Sequence, residues 1–200
     1  MPQTTATILQ VTINGVVYQQ AATISSDSLE LVNPTVPAAK SGTLTVRTDA
    51  NTGSLTMSGG HGITTGDKLS IFWTGGSRSN VTAGTVATNV VPIDLGSGDD
   101  LPDAATAITA MVATSVASAI DGDEVDSFAV ACPLAVSGWV VFKASGGTII
   151  SAHQIPSGTK AKTWASGLGI TNPLAGATVE TIEFSHGSTS AQDMTAAVVF

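Results

Sequence analysis

Alternating apolar and polar positions run through most of this chain and predict β-strands. In residues 53–57 and again in 68–73 every second residue is apolar, and a glycine-rich stretch separates the two segments. Glycines permit positive φ, so we expect a tight turn around His61, whose ring would hydrogen-bond within its own loop. The pattern predicts a β-turn-β unit. Its apolar face would hold Leu55, Met57, Leu69, Ile71 and Trp73.

The first forty residues are predicted to be an N-terminal arm and linker. Apolar positions alternate through 6–18, and Asn14-Gly15 is a strong signal for a two-residue hairpin turn. A short strand is expected at 29–32. Pro34 and Pro37 then interrupt regular structure, which is typical of a linker.

Residues 41–100 are predicted to form a small β-barrel module. Five or six short strands fit within about fifty-five residues, a density typical of a small barrel or a compact sandwich.

Residues 101–200 are predicted to form a short helix followed by a β-sandwich module. Asp100 as N-cap and Pro102 in the first turn favour a helix at 101–107, and a long strand would follow. Asp121-Gly122 predicts a hairpin turn between 116–120 and 125–131.

The last third of the chain is predicted to be β-structure as well. Gly146-Gly147 predicts a further hairpin, between 137–143 and 148–153. The apolar segment 194–200 is expected to add a strand to its own sheet or to a neighbour's. The fold class predicted for the whole chain is all-β and mainly antiparallel, with two small barrel or sandwich modules and one short helix.

The segment His61-Gly-Ile-Thr-Thr-Gly-Asp-Lys-Leu-Ser-Ile71 resembles a hairpin that recurs in small β-barrel modules of tailed-phage tail and virion proteins. In that family the motif is an element of the fold and not an active site. The resemblance therefore implies a structural protein and carries no catalytic residue to this chain.

The composition favours a subunit of an assembly. Charged residues make up 11% of the chain, against about 25% in ordinary soluble domains, and Thr, Ser, Gly and Ala replace them. A weakly charged surface is typical of one that neighbouring subunits cover. A secreted β-domain of low charge is the alternative.

Acidic residues are concentrated in one window, which contains no Lys or Arg. The lack of Lys and Arg side chains disfavours nucleic-acid binding, because contacts with phosphate groups need positively charged side chains. Such a patch suits either a conduit that DNA passes without sticking or an outer surface that stays soluble. The window holds Asp94, Asp99, Asp100, Asp103, Asp121, Asp123, Glu124 and Asp126.

Two groups of residues are candidates for metal or thiol chemistry. The spacing of Asp121, Asp123 and Asp126 is similar to a calcium loop, but the later glutamate and the flanking helices of an EF-hand are missing, and a hairpin turn is the preferred interpretation. Cys132 has apolar neighbours and is expected to be a buried, inert thiol.

Catalytic sets are absent from the sequence as motifs. His61, His153 and His186 show no zinc-ligand spacing. A Ser-His-Asp triad could be drawn from Ser185 or Ser188, His186 and Asp193. Serine, histidine and aspartate are frequent in loops, so we do not expect this set to be a catalytic triad. Carboxylate pairs within 94–126 leave a glycosidase open, although sugar-binding clefts usually contain stacking rings and aromatic residues are only 4%.

We therefore predict a structural subunit of a bacteriophage virion that assembles by symmetry, with a tail tube preferred to head decoration. Its partners would be copies of itself and other virion proteins, with no sequence-specific nucleic acid and no membrane. No catalytic residue, cofactor or metal is assigned, and no enzyme activity is expected.

Two other functions remain open. A receptor- or carbohydrate-binding module of a tail fibre or tip predicts exposed aromatic residues around Trp73, Trp139 or Trp164. A secreted β-fold hydrolase predicts a pocket with two carboxylates.

The segment Met1–Thr7 has neither the basic start nor the apolar run of a signal peptide, and no apolar run reaches the roughly 18 residues of a membrane span. We therefore expect synthesis in the host cytoplasm.

Overall fold

The computed structural model describes residues 5–13, 16–24, 29–97, 101–122, 125, 127–133, 135–159, 161–165 and 171–199. Within them every sheet is antiparallel and no α-helix occurs, which confirms the all-β fold class. The strands are β1 (Thr5–Ile13), β2 (Val16–Ile24), β3 (Leu29–Val32), β4 (Thr35–Val36), β5 (Lys40–Arg47), β6 (Thr52–Met57), β7 (Lys68–Trp73), β8 (Gly76–Ala83), β9 (Val90–Asp94), β10 (Ala107–Val112), β11 (Thr114–Asp121), β12 (Ser127–Ala131), β13 (Gly138–Lys143), β14 (Ile149–Ile155), β15 (Ala161–Ala165), β16 (Thr178–His186), β17 (Gln192–Asp193) and β18 (Thr195–Val199).

Six strands close into a barrel in the order β10-β5-β6-β9-β8-β7. Closure gives each strand a neighbour on both sides, so the barrel presents no free edge. One of the six strands, β10, lies beyond residue 100, so the barrel does not end where the sequence placed a boundary. The barrel interior is aliphatic and contains Leu44, Leu55, Met57, Ile63, Leu69, Ile71, Val81, Val91, Ile93, Leu101 and Ile108.

The two strands of the predicted β-turn-β unit form, but they do not pair with each other. β6 pairs with β5 and β9, while β7 pairs with β8 and β10, which places them on opposite walls of the barrel. The loop 58–67 therefore crosses one end of the barrel, and Ile63, only 4% exposed, packs into that end. Alternation in a sequence specifies which residues face the core, but it does not specify the partner strand.

The predicted helix at 101–107 is wrong. Leu101 is 4% exposed and fills the barrel interior, and its backbone N–H donates to Ala50 O at 3.1 Å. The N–H of Ala105 donates to Leu44 O at 2.7 Å. These backbone groups thus bond to distant segments of the barrel, and these bonds replace the helical hydrogen bonds that Asp100 and Pro102 had favoured in the sequence. The long strand predicted to follow is also broken, at Ala113, because β10 belongs to the barrel and β11 to the sandwich.

Two four-stranded sheets form the sandwich, in the orders β11-β16-β13-β14 and β15-β12-β18-β3. Apolar side chains of the two inner faces pack against each other as the core. The strand β18 lies inside the second sheet, which confirms that the C-terminal segment adds a strand to its own sheet. The largest fully buried side chains of this core are Phe128, Phe142, Phe184, Ile120, Ile155, Leu174, Ile182 and Met194.

The hairpin predicted around Asp121-Gly122 is wrong, because β11 and β12 lie in different sheets. A Cβ at Gly122 would collide with the backbone of Leu174 and Ala177. This glycine therefore permits close packing where the chain crosses between the sheets, which a sequence cannot distinguish from a hairpin turn.

The hairpin predicted around Gly146-Gly147 is confirmed. β13 and β14 pair in register from Gly138↔Ile155 to Phe142↔Ser151. Both glycines of the turn have positive φ, at 72° and 80°, which explains why this position requires them.

The N-terminal hairpin is confirmed by the pairing of β1 with β2 from Thr5↔Ile24 to Ile13↔Val16. Its predicted turn, Asn14-Gly15, lies outside the described residues. The two strands form a sheet of their own. The rest of the predicted arm does not stand apart, since β3 pairs with β18 and β4 pairs with β17.

Candidate functional site

The barrel is attached to the outer face of the sheet β11-β16-β13-β14 through a polar junction of Ser70, Ser77, Trp139, Gln154 and Ser185. Trp139 Nε1 and Gln154 Nε2 donate to Ser77 Oγ at 2.9 and 2.7 Å, and Ser185 Oγ donates to Ser70 Oγ at 2.6 Å. The three serines are at most 8% exposed. Because buried hydroxyls are costly unless bonded, these contacts fix the relative placement of the two modules.

Beside this junction a cleft of about 400 Å³ opens between the barrel and the sandwich. Its larger apolar lining residues are Phe72, Trp73 and Ile108 of the barrel and Val136 of the sandwich, of which Trp73 and Val136 are partly exposed. None of its thirteen lining residues carries an ionisable side chain. The cleft lining therefore contains neither the two carboxylates that the hydrolase alternative predicts nor a cation for an anionic ligand.

Trp73 is held in place by a glycine on the neighbouring strand. It pairs with Gly76 across β7 and β8, and a Cβ at position 76 would lie 2.5 to 2.8 Å from three atoms of the indole. The ring therefore covers the Gly76 backbone directly. Its Nε1–H donates to no other described residue, which leaves one hydrogen-bond donor free in a half-buried side chain.

Five hydroxyl-bearing residues also line the cleft. Thr109 Oγ1 donates to Gly187 O at 3.0 Å, and Ser137 Oγ accepts from the Ser157 N–H at 3.2 Å. Within the described chain the hydroxyls of Ser41, Thr74 and Ser157 make no hydrogen bond, and all three residues are exposed. These hydroxyls are available to a ligand.

The three tryptophans have different environments. Trp73 lines the cleft, whereas Trp139 bonds Ser77 in the polar junction. Trp164 stacks on Phe128 with ring centroids 4.5 Å apart. Only Trp73 is thus available in the way that a binding module requires.

The structure does not bring Ser185 or Ser188, His186 and Asp193 together as a catalytic triad. His186 is fully buried, its Nδ1 accepts from the Ser188 N–H at 3.1 Å, and its Nε2 donates to Val36 O at 3.1 Å. Ser185 bonds Ser70 instead, and Asp193 Oδ1 accepts from Thr35 at 2.6 Å. Burial lowers the pKa of His186, and the bond to Val36 opposes this in part. Both ring nitrogens serve the fold.

His61 has the role predicted for it. Its Nδ1 accepts from the Ile63 N–H at 3.0 Å, so Nε2 carries the proton and donates to Thr88 O at 2.9 Å. The ring thereby holds the crossing loop against the segment that precedes β9.

His153 belongs to an aromatic cluster in the sandwich core. Its ring centroid lies 4.2 Å from that of Trp164, 5.3 Å from Phe128 and 5.8 Å from Phe142. Burial lowers the pKa of His153 to about 4, and the charge of Lys162 adds to this effect. The histidine is therefore a neutral member of the core at pH 7.

The remaining candidates show no assembled site. Cys132 is 1% exposed, and burial raises the pKa of its thiol to about 12, which confirms a buried thiol. Asp121 is exposed at the end of β11, while Asp123 and Asp126 lie outside the described residues. Within the described part of the chain, no group of three His, Cys, Asp or Glu side chains is placed to hold a metal ion.

Of the acidic window, Asp94, Asp103 and Asp121 are exposed in the structure. Asp94 Oδ1 accepts from the Gly96 N–H at 2.7 Å, and Asp103 lies 3.9 Å from Arg47. The other members, Asp99, Asp100, Asp123, Glu124 and Asp126, lie outside the described residues.

No protein-family model matches this chain, and no curated protein or solved structure matches it. No helix among the described residues has the length and apolar character needed to cross a membrane.

The cleft is the feature that the sequence did not predict. Its lining comes from 41–42, 72–74, 107–109, 135–137 and two later positions, with no motif in any of these segments. Trp73 was the only signal, as one of three tryptophans that a binding module would expose.

Proposed function

We propose that this chain is a structural subunit of a tailed-phage virion and assembles with copies of itself. The observation that carries the proposal is the hairpin β1–β2, whose strands pair only with each other within the described residues. An isolated two-stranded sheet is marginal in water, and unpaired strand edges invite pairing with another chain. A neighbouring subunit would supply the missing contacts.

The composition of the hairpin supports this role. Residues 1–26 contain no charged side chain, although charged edge residues are the usual protection of strands against association. The register aligns Val11 with Tyr18 and Ile13 with Val16, so apolar residues are paired in the half of the hairpin nearest its turn. Nine residues per strand span about 30 Å, which is long enough to reach an adjacent subunit.

The position of β18 restricts which segment acts in assembly. Both neighbours of β18 are strands of its own sheet, so the C-terminal segment is already paired. The N-terminal hairpin is thus the segment that carries exchange between subunits in this proposal.

Two sequence features support a virion as the setting. The segment 61–71 resembles phage β-barrel modules, and 11% charged residues fit a surface that neighbours cover. Exposed carboxylates at Asp94, Asp103 and Asp121 suit a lumen that DNA crosses without binding, which favours a tail tube over head decoration.

The test is light scattering with negative-stain electron microscopy on the full chain over a concentration series. We expect rings, tubes or small closed oligomers that increase with concentration. Val11→Lys introduces a charge where an apolar residue is aligned with Tyr18, and it should move assembly to at least tenfold higher concentration, an order-of-magnitude expectation for an interface residue. Gln10→Lys is the matched control, because it adds the same charge at the next position of the same strand, where polar Gln10 is aligned with Gln19.

A monodisperse monomer at every concentration, with Val11→Lys and Gln10→Lys both indistinguishable from the parent chain, would overturn the proposal. Tubes would select the tail, and closed rings without tubes would favour an adaptor or decoration role.

A further inference from the structure

We propose that the cleft between the barrel and the sandwich binds a neutral saccharide. This is a binding activity separate from self-assembly, and it rests on the lining of the cleft. At about 400 Å³ the cleft falls within the size range of small-molecule sites, about 300–1,000 Å³.

The charge of the lining selects the chemical class of the ligand. No Lys, Arg, His, Asp or Glu is among the lining residues, so neither a phosphate nor a carboxylate would find a charged partner there. A neutral ligand costs least to desolvate in such a site. The ligand must nevertheless be polar, because exposed hydroxyls stand beside the apolar surface.

Trp73 provides the apolar half of the recognition. Its ring is fixed over Gly76, so little side-chain entropy is lost when a flat ligand face stacks on it. Val136, which is partly exposed, extends the apolar surface. A pyranose ring presents an apolar face of C–H groups together with a rim of hydroxyls, and this arrangement fits the surface.

The polar half consists of groups without a partner in the described chain. The hydroxyls of Ser41, Thr74 and Ser157 each donate and accept, and Trp73 Nε1–H donates. Sugar hydroxyls also donate and accept, so each of these groups can form a bond with a sugar. Anchored aromatic surface and unpaired neutral hydroxyls therefore occur together in the cleft.

A peptide ligand fits this cleft less well. Extended peptides gain affinity by adding a strand to a free sheet edge. The strands β5, β7 and β10, which carry most of the lining, each pair on both sides within the closed barrel. They offer no free backbone edge to a peptide.

The test is isothermal titration and ligand-observed NMR with maltohexaose, cellohexaose and chitohexaose as neutral probes. A heparin hexasaccharide and an uncharged Ser/Thr-rich peptide serve as comparisons. We expect at least one neutral hexasaccharide to bind with a Kd between roughly 10 µM and a few millimolar. The heparin fragment and the peptide should bind at least tenfold more weakly or not at all.

Substitutions locate the binding site. Ser157→Ala and Thr74→Val remove exposed hydroxyls without altering the barrel interior, and each should weaken binding about fivefold to tenfold. Trp73→Ala should abolish binding, and circular dichroism would check that the barrel remains folded. Thr163→Val is the matched control, since it removes an exposed hydroxyl of β15 outside the cleft and should leave Kd unchanged.

Three results would overturn the proposal. They are the absence of binding by all three neutral probes at about 10 mM, binding that Ser157→Ala and Thr74→Val leave unaffected, and preferential binding of the peptide or heparin. Light scattering on the same samples reports assembly separately, so failure of this site would not be confused with failure of the hairpin.

Discussion

The barrel and the sandwich are both built from short antiparallel strands, but they stabilise those strands differently. The barrel uses one segment, from β5 to β10, and closes on itself without an edge. The sandwich combines β3 with strands from β11 to β18, and each of its two sheets ends in edge strands. Its core contains buried phenylalanines, whereas the fully buried side chains of the barrel interior are aliphatic.

This difference shows that the space between the strands determines the size of the side chains that can fill each core. A closed six-stranded barrel has a narrow interior, which leucine, isoleucine and valine can fill. Two facing sheets are about 10 Å apart, and large rings are efficient at filling that space. The sandwich therefore relies on a few large contacts, and we expect single substitutions to affect it more strongly than the barrel.

Removing one ring of the sandwich core should produce the largest effect. Phe142 is fully buried and packs edge-on against Phe128 at 5.4 Å. Phe142→Ala should lower the free energy of unfolding by about 3–5 kcal/mol, as measured by urea denaturation. Ile71→Val in the barrel should cost about 0.5–1.5 kcal/mol. A smaller loss for Phe142→Ala than for Ile71→Val would contradict the comparison.

Acid should weaken the sandwich before the barrel. The folded-state pKa of His153 is about 4, against 6.5 for an exposed histidine, so the unfolded chain binds a proton at higher pH than the folded chain does. The contribution of neutral His153 to the free energy of unfolding is therefore fully present above pH 6.5, and up to about 3 kcal/mol of it is lost as the pH drops from 6.5 to 4. The lowered pKa of His186 acts in the same direction.

Urea denaturation of the parent chain and of His153→Gln between pH 7.5 and 4 measures this dependence. The free energy of unfolding of the variant should depend less on pH than that of the parent chain. His186 should account for part of the pH dependence that the variant keeps. Hydrogen exchange at pH 5 should accelerate in β12 and β14 before the barrel strands. A parent profile as flat as that of the variant would refute the assignment to His153.

A single methyl group should disturb the barrel wall where two strands approach closely. A Cβ at Gly53 would lie 2.5 Å from Val46 O, a backbone atom that cannot move freely. Gly53→Ala should therefore lower the unfolding free energy by about 1–3 kcal/mol. Gly59→Ala is the control, because nothing lies within 4 Å of its Cβ position, and its effect should stay within about 0.5 kcal/mol.

The smallest effect is expected at the polar junction between the two modules. Trp139→Phe and Ser77→Ala each remove the bond from Trp139 Nε1 to Ser77 Oγ. A double-mutant cycle by urea denaturation should give a coupling energy of about 0.5–1.5 kcal/mol. A coupling near zero would mean that the bond does not contribute to holding the modules together.

Local patterns predicted the strands well but not their partners. Alternation in 53–57 and 68–73 identified the buried positions Leu55, Met57, Leu69 and Ile71, and glycine pairs identified the hairpin of β13 and β14. The predictions around Asp121-Gly122 and at 101–107 failed for one reason. Glycine, proline and an N-cap residue mark a change of direction, but tertiary contacts decide which structure follows.

The candidate site was harder to predict than the fold. The loop role of His61 could be predicted from its neighbouring glycines, but this histidine lies outside the cleft. The cleft required the polar junction, which brings Trp73 of the barrel beside Val136 and Ser157 of the sandwich. Residues so far apart in the chain carry no shared local signal.

The sequence by itself determined that this protein is all-β, that Leu55, Met57, Leu69 and Ile71 are buried, and that its first 26 residues contain no charged side chain. These properties depend on the period of two along a strand and on composition, both of which are local. Only the tertiary structure decided that β6 and β7 lie on opposite walls of the barrel, that β18 lies inside its sheet, and that a cleft forms beside Trp73. Those features follow from barrel closure and from hydrogen bonds between distant segments, which depend on the whole chain packing together.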